Sequence, residues 1–131
     1  MEQATKPLIF IVDDDPGVRE SLEFLFEVEG LDARGFASGS EFMGGGKPGD
    51  EDCIILDVQM PGMSGFDVLR QLRRQGSASP VIMTTGLPSP DTTKRAYQHG
   101  AFRVLDKPYD SSALLCAVHE ALGEAPGSTL R

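Results

Sequence analysis

Residues 8–30 read LIFIVDDDPGVRESLEFLFEVEG, and this stretch decides the fold. Leu8–Val12 is a short continuous apolar run, the mark of a strand buried on both faces. Three acids follow it at once. Asp15 suits a helix cap and Pro16 the first helical turn. Val18, Leu22, Leu25, Phe26 and Glu29 then share one helical face, only the last being polar, until Gly30 stops the helix.

The same unit recurs along the chain. Leu31–Phe36 is a weaker, mixed strand, and Ser38-Gly39-Ser40-Glu41 has capping-box spacing for a short helix. Gly44–Gly49 reads as a loop. Cys53–Leu56 is a second buried strand. Ser64 and Asp67 open the helix after it, with Phe66, Leu69 and Leu72 on one face and Gly76 at its end. Val81–Met83 is another buried strand, followed by a helix from Ser89-Pro90 to Gly100. Phe102–Leu105 is the last strand. Ser111 leads a helix carrying Leu114, Leu115, Val118 and Leu122, stopped by Gly123. Five βα units predict an α/β fold: a five-stranded parallel doubly wound sheet of order 2-1-3-4-5, a flavodoxin-like (βα)5 arrangement with right-handed crossovers. Residues 1–123 form one domain on this reading, and 124–131 read as a tail or the start of a linker.

The chain has 131 residues and a net charge of −8, a size for one domain. No apolar run reaches the roughly 18 residues that a membrane helix needs, and no secretory signal is expected at the N-terminus. Cys53 and Cys116 lie in apolar contexts and read as buried free thiols of a reducing compartment. Residues 1–60 hold 14 acids against 4 bases, and residues 61–131 hold 6 acids against 8 bases. That balance argues against nucleic-acid binding by this chain, which calls for a basic stripe. It suits a cation site in the first half.

In a parallel sheet the carboxyl ends of all strands lie on one edge, where ligands bind. Asp13, Asp14 and Asp15 follow strand one, Asp57 follows strand three, Thr84 and Thr85 end strand four, and Asp106 and Lys107 end strand five. Several carboxylates brought together repel unless a cation joins them. All-oxygen ligation suits a hard ion, Mg²⁺ above all where phosphate also binds. Lys107 supplies a point charge for a phosphoryl oxygen and Thr85 a hydrogen bond. A carboxylate so neutralised can act as a nucleophile toward phosphorus.

Val12-Asp13-Asp14, the run Leu56–Gly65 (LDVQMPGMSG), Thr84-Thr85-Gly86 and Asp106-Lys107-Pro108 together resemble the motifs of response-regulator receiver domains of two-component signalling. DDDPGVRESLEFLF and MPGMSG are most similar to receivers of the FixJ/NarL type. The resemblance spans about Leu8 to Leu122. It implies that Asp57 accepts the phosphoryl group from a phosphohistidine on a sensor histidine kinase or phosphotransfer protein. It implies Asp14 as direct ligand of Mg²⁺ (or Mn²⁺), Asp13 as its partner, and Gln59 as a ligand through its backbone carbonyl. Thr85 matches the switch hydroxyl, Lys107 the phosphate-binding lysine, and Lys107–Pro108 a cis bond. The output would run across the fourth helix, fifth strand and fifth helix, including Lys94, Arg95, Arg103 and Asp110, and could support a homodimer. The protein would be cytoplasmic, with self-phosphotransfer and autodephosphorylation as its only chemistry.

Two positions depart from the family pattern. The second switch position, often Tyr or Phe, is Val104. Phe102, two residues back, is expected to face the same way as Val104. Leu87, two beyond Thr85, stands where many relatives carry a polar group; with Gln59 it is a candidate for control of phosphoryl lifetime. Asp15 reads as a cap, Thr84 as structural and Asp106 as an exposed rim acid. His99 reads as a helix C-terminal residue, and His119 as no phosphorylation site. Two alternatives stand beside the main reading. One is the excised N-terminal receiver of a DNA-binding regulator. The other is a haloacid-dehalogenase-like phosphatase using Asp13 and Asp15 as its D-x-D opening.

Overall fold

The computed structural model describes residues 6–123. Five strands alternate with five helices: β1 (Leu8–Val12), α1 (Pro16–Val28), β2 (Asp32–Phe36), α2 (Gly39–Gly45), β3 (Cys53–Asp57), α3 (Gly65–Arg74), β4 (Val81–Thr85), α4 (Pro90–Gln98), β5 (Arg103–Asp106) and α5 (Ser111–Ala121). The strands form one sheet of order β2-β1-β3-β4-β5, and every adjacent pair is parallel. Residues 124–131 lie outside the described residues.

Alternation along the strands divides the core in two. Phe10, Val12, Ile54, Leu56, Val81 and Met83 pack beneath α2, α3 and α4, against Phe42, Phe66, Leu69, Leu72 and Ala96. Ile9, Ile11, Ile55 and Ile82 pack beneath α1 and α5, against Leu22, Phe26, Leu114 and Val118. Each of these side chains except that of Ala96 contributes about 1.5–3 kcal/mol by leaving water. The central strands β3 and β4 are buried along their whole lengths, which explains why they read as unbroken apolar runs.

Helix ends follow the predicted chemistry. Asp15 caps α1 by accepting the Gly17 N–H at 2.9 Å. Ser64 and Asp67 form a reciprocal capping box on α3. At α2 only half of the box forms as predicted. Ser38 Oγ accepts the Glu41 N–H at 3.0 Å, but Glu41 accepts the N–H of Ala37, one residue outside the cap.

Two expectations fail. Cys116 is exposed, whereas Cys53 is buried; α5 turns Leu114, Ala117 and Val118 inward, and Cys116 falls between them on the outer side. Phe102 and Val104 do not share a facing. The strand starts only at Arg103, so Phe102 lies in the preceding bend, where period two does not hold. Phe102 joins the cluster under α1 and α5, and Val104 the opposite one.

Two polar groups fasten the edge opposite the carboxyl ends. Buried Asp52 accepts the Leu8 N–H at 2.9 Å and the Gly49 N–H at 2.7 Å, tying the starts of β1 and β3 together. Arg73 donates to the carbonyls of Ser77 and Ser79 at 3.0 Å each and of Gly100 at 2.9 Å. It thereby joins the end of α3 to the approaches of β4 and β5. Arg73→Ala leaves three carbonyls without their charged donor, and a loss of about 2–4 kcal/mol of unfolding free energy is expected. Urea denaturation checks this, with Arg74→Ala as a near-neutral surface control.

Candidate functional site

Parallel pairing brings the strand ends to one edge, and the site is built there. Asp57 is the last residue of β3, in register with Thr84. Asp13 and Asp14 leave β1 next to it. Single carboxylate oxygens of Asp13, Asp14 and Asp57 lie within 4.8 Å of one another. Asp13 and Asp57 are 4% and 5% exposed, while Asp14 is open to solvent.

One ammonium serves the cluster. Lys107 Nζ lies 3.2 Å from Asp13 Oδ2 and 3.5 Å from Asp57 Oδ1. It is brought there by the end of β5, where its backbone N–H donates to the Thr85 carbonyl at 2.7 Å. The Lys107–Pro108 bond is cis, as the resemblance implied. Asp13 Oδ1 accepts the Asp15 N–H at 3.0 Å, and Arg19 donates to the Asp13 carbonyl at 2.7 Å. Asp13 is therefore held from three sides. Asp57 Oδ1 is buried and takes no hydrogen bond from any described residue.

The electrostatics follow from this imbalance. Burial pushes the Asp57 carboxyl up from its ordinary 3.8 to about 6, and the Asp13 charge adds to the rise; Lys107 and the Gln59 backbone N–H pull it back. Burial works against the Lys107 ammonium, but Asp57 and Asp13 outweigh it, and its pKa is raised. Two buried acids facing one lysine leave an excess of negative charge with an oxygen unmet. An all-oxygen donor set that includes a buried carboxylate oxygen without a hydrogen bond fits a hard divalent cation such as Mg²⁺ or Mn²⁺.

The loop after Asp57 is held tightly. A Cβ on Gly65 would overlap the Asp57 carbonyl oxygen and lie 2.9 Å from Val58 Cα. Glycine lets the start of α3 close against the strand end that carries Asp57.

Thr85 is fully buried at the end of β4. Its hydroxyl meets the side chain of Gln59, which sequence reasoning valued for its backbone carbonyl and for phosphoryl lifetime but not as a partner of Thr85. The Gln59 amide nitrogen donates to Thr85 Oγ1 at 3.1 Å, and Thr85 Oγ1 donates to Gln59 Oε1 at 3.2 Å. The Leu87 N–H donates to Thr85 Oγ1 at 3.1 Å, while the Leu87 side chain is 70% exposed. Val104 is not part of this group. It sits opposite Met83 in the sheet, and its backbone N–H donates to the Tyr97 hydroxyl at 3.2 Å. Thr84 is buried and Asp106 exposed, as expected. His99 caps the end of α4, with its ring edge-on to Phe66.

The raised Asp57 pKa sets a sign for stability. The fold prefers the protonated carboxyl, so this contribution is complete below about 3.8 and is lost as pH rises through about 6. In chelator at pH 7.5, Asp57→Asn is therefore expected to raise Tm by a few degrees. At pH 5 the gain shrinks, because the native carboxyl is already largely protonated. Paired thermal melts of both proteins check this.

Comparison with known proteins agrees with this geometry. Residues 9–119 match the family model described as "Response regulator receiver domain". The transcriptional regulatory protein FixJ of Azorhizobium caulinodans is 39% identical over 117 residues, covering 89% of this chain and 56% of that protein. The response regulator protein TodT of Pseudomonas putida is 39% identical over 119 residues, covering 91% of this chain and 52% of its own length. The chain thus spans about half the length of these relatives. The solved structure of the response regulator StyR superposes with a TM-score of 0.84 at 36% identity, covering 91% of this chain and 60% of that one. A carboxylate cluster facing one lysine at the carboxyl edge of a 2-1-3-4-5 sheet, and a match running almost end to end, place this chain in the response-regulator receiver domain family.

Proposed function

We propose that Asp57 is the phosphoacceptor of this receiver, that Asp13 and Asp14 hold Mg²⁺ beside it, and that Lys107 binds the transferred group. The observation carrying this reading is the buried Asp57 Oδ1, without a hydrogen bond from any described residue and flanked by two acids and one ammonium. An Asp57 oxygen bonds to phosphorus as the phosphorus–nitrogen bond of a donor phosphohistidine breaks, the imidazole leaving with the electron pair. Mg²⁺, when bound by Asp13, Asp14, Asp57 and the Gln59 carbonyl, supplies charge neutralisation for the transferring oxygens. Lys107 already lies beside both buried acids and meets the charge that the product adds. Catalysis here is positioning and charge balance, without a general base. Autodephosphorylation would return Asp57 to its carboxylate.

The donor is a sensor histidine kinase or a phosphotransfer protein. Glu20, Glu23 and Glu27 give α1 an acidic face, with Glu29 at its C-cap, and part of this acidic surface meets that donor. Output runs through α4, β5 and α5. Arg103 stands there, paired with Glu120 at 2.9 Å, with Lys94 and Asp110 exposed nearby. Arg95 leans the other way, with its guanidinium 4.3 Å from the centre of the Phe66 ring. Phosphorylation biases a two-state equilibrium, and a homodimer across this face is its readout. Because the aligned relatives are about twice as long and carry transcriptional regulatory names, the receiver works within a DNA-binding regulator, whose nucleic-acid contacts lie in another segment. No helix among the described residues is long and apolar enough to cross a membrane, and a cytoplasmic site of action fits a kinase partner.

The phosphatase alternative loses its opening motif. Asp15, its second D-x-D acid, points to the Gly17 N–H as a helix cap and stands outside the carboxylate cluster.

Incubation with acetyl phosphate and Mg²⁺ is expected to add one acid-stable, base-labile phosphoryl group, read by intact mass. Asp57→Asn or chelator abolishes it. Continuous phosphate release that depends on Asp15 would reverse the reading. Leu87, exposed beside the Thr85 hydroxyl, is proposed to hinder the attacking water. Leu87→Glu is then expected to shorten the phosphoryl half-life several-fold, measured by mass after donor removal; an unchanged half-life removes Leu87 from this role.

A further inference from the structure

The Thr85 hydroxyl has one proton to donate and two lone pairs to offer, and all three are in use. The proton goes to Gln59 Oε1, and the lone pairs take the Gln59 amide and the Leu87 N–H. The group is saturated by neighbours that are not Asp57. Gln59 Oε1 also accepts the Gly86 N–H at 3.2 Å. That bond settles the orientation of the amide, since the flipped group would set a donor against a donor. A single side chain therefore spans the ends of β3 and β4 and grips both the hydroxyl and the connection leading into α4.

The geometry points to Gln59 as a latch: a positioning residue whose carboxamide holds Thr85 and Gly86 in the resting arrangement and must release them before Thr85 can serve a phosphoryl oxygen on Asp57. This rests on the receiver reading above. Thr85 has no second proton, so donation to a phosphoryl oxygen costs its bond to Gln59. The exchange favours the phosphorylated protein because a bond to a charged acceptor is stronger than one to a neutral amide. Releasing the latch also frees the Gly86 N–H, which transmits the event toward α4. The displaced side chain has somewhere to go. A groove of about 500 Å³, lined by Val58, Gln59, Met60, Pro61, Phe66 and Arg95 among others, opens beside it between the β3–α3 loop and α4. Gln59 is otherwise exposed, so the latch can move without disturbing the core.

The test uses beryllofluoride with Mg²⁺, a stable stand-in for the phosphoryl group, titrated calorimetrically. Gln59→Met keeps side-chain length but removes the hydrogen bonds. It is expected to bind beryllofluoride about 5-fold more tightly than the native chain, one net hydrogen bond's worth. In a Thr85→Ala background the gain is expected to vanish, because no hydroxyl remains to pass from Gln59 to the phosphoryl oxygen, although Gln59 still holds the Gly86 N–H. In ligand-free Gln59→Met, the amide resonances of Gly86 and Leu87 should move toward their positions in the beryllofluoride complex of the native chain. Equal or weaker binding by Gln59→Met, or a gain that persists with Thr85→Ala, overturns the latch while leaving Asp57 as acceptor. A native chain that binds no beryllofluoride, or an Asp57→Asn variant that binds it as well, overturns the receiver reading and the latch together.

Discussion

Three carboxylates share one edge of a parallel sheet with a single lysine, and the rest of the molecule is arranged around that imbalance. Parallel pairing forces the crowding, because it delivers the ends of β1 and β3 side by side. Burial of Asp13 and Asp57 then removes the water that would screen them. Lys107 answers both acids at once, at 3.2 and 3.5 Å, yet the Asp57 Oδ1 it faces takes no hydrogen bond from any described residue. Such a site is unfavourable when left alone, and a bound cation would relieve it. The resting fold thus carries an electrostatic debt at this edge.

The two layers of core make that arrangement rigid enough to be useful. Asp57 sits on a strand buried at every residue, and Gly65 lets α3 press on its carbonyl. Asp13 is fixed by Asp15, Arg19 and Lys107. By contrast, the segment from Gly86 to Ser89 is exposed and hangs on few bonds, two of them through Gln59 and Thr85. A rigid carboxylate site next to a connection held by few bonds is a physical basis for switching.

Sheet order, both faces of the core and the four charged site residues were legible in the sequence. Their signals are local: apolar runs for strands, acids or Lys-Pro directly after them, and a topology that fixes where strand ends meet. Asp57 could be placed beside Asp13 across more than 40 residues for that reason alone. The failures are long-range or orientational. Cys116 sits among apolar neighbours in sequence, but helix rotation turns it outward. Phe102 parted from Val104 because the strand began one residue later than expected. Arg73 and Asp52 bond to backbone groups of distant segments, and nothing in sequence spacing marks a carbonyl as unmet. The bond between Gln59 and Thr85 was missed because the two residues are 26 positions apart. The acidic first half, too, was only partly explained by the site; most of α1's glutamates simply face water.

The central claim is that the carboxylate cluster is completed by a divalent cation in competition with a proton on Asp57. Calorimetric titration of the native chain with Mg²⁺ across pH 5 to 8 tests it most directly. One ion per chain is predicted, with affinity falling as pH drops through about 6 and protons released on binding. Asp14→Asn should weaken binding at every pH. Binding that is absent, or indifferent both to pH and to Asp14, would contradict the account.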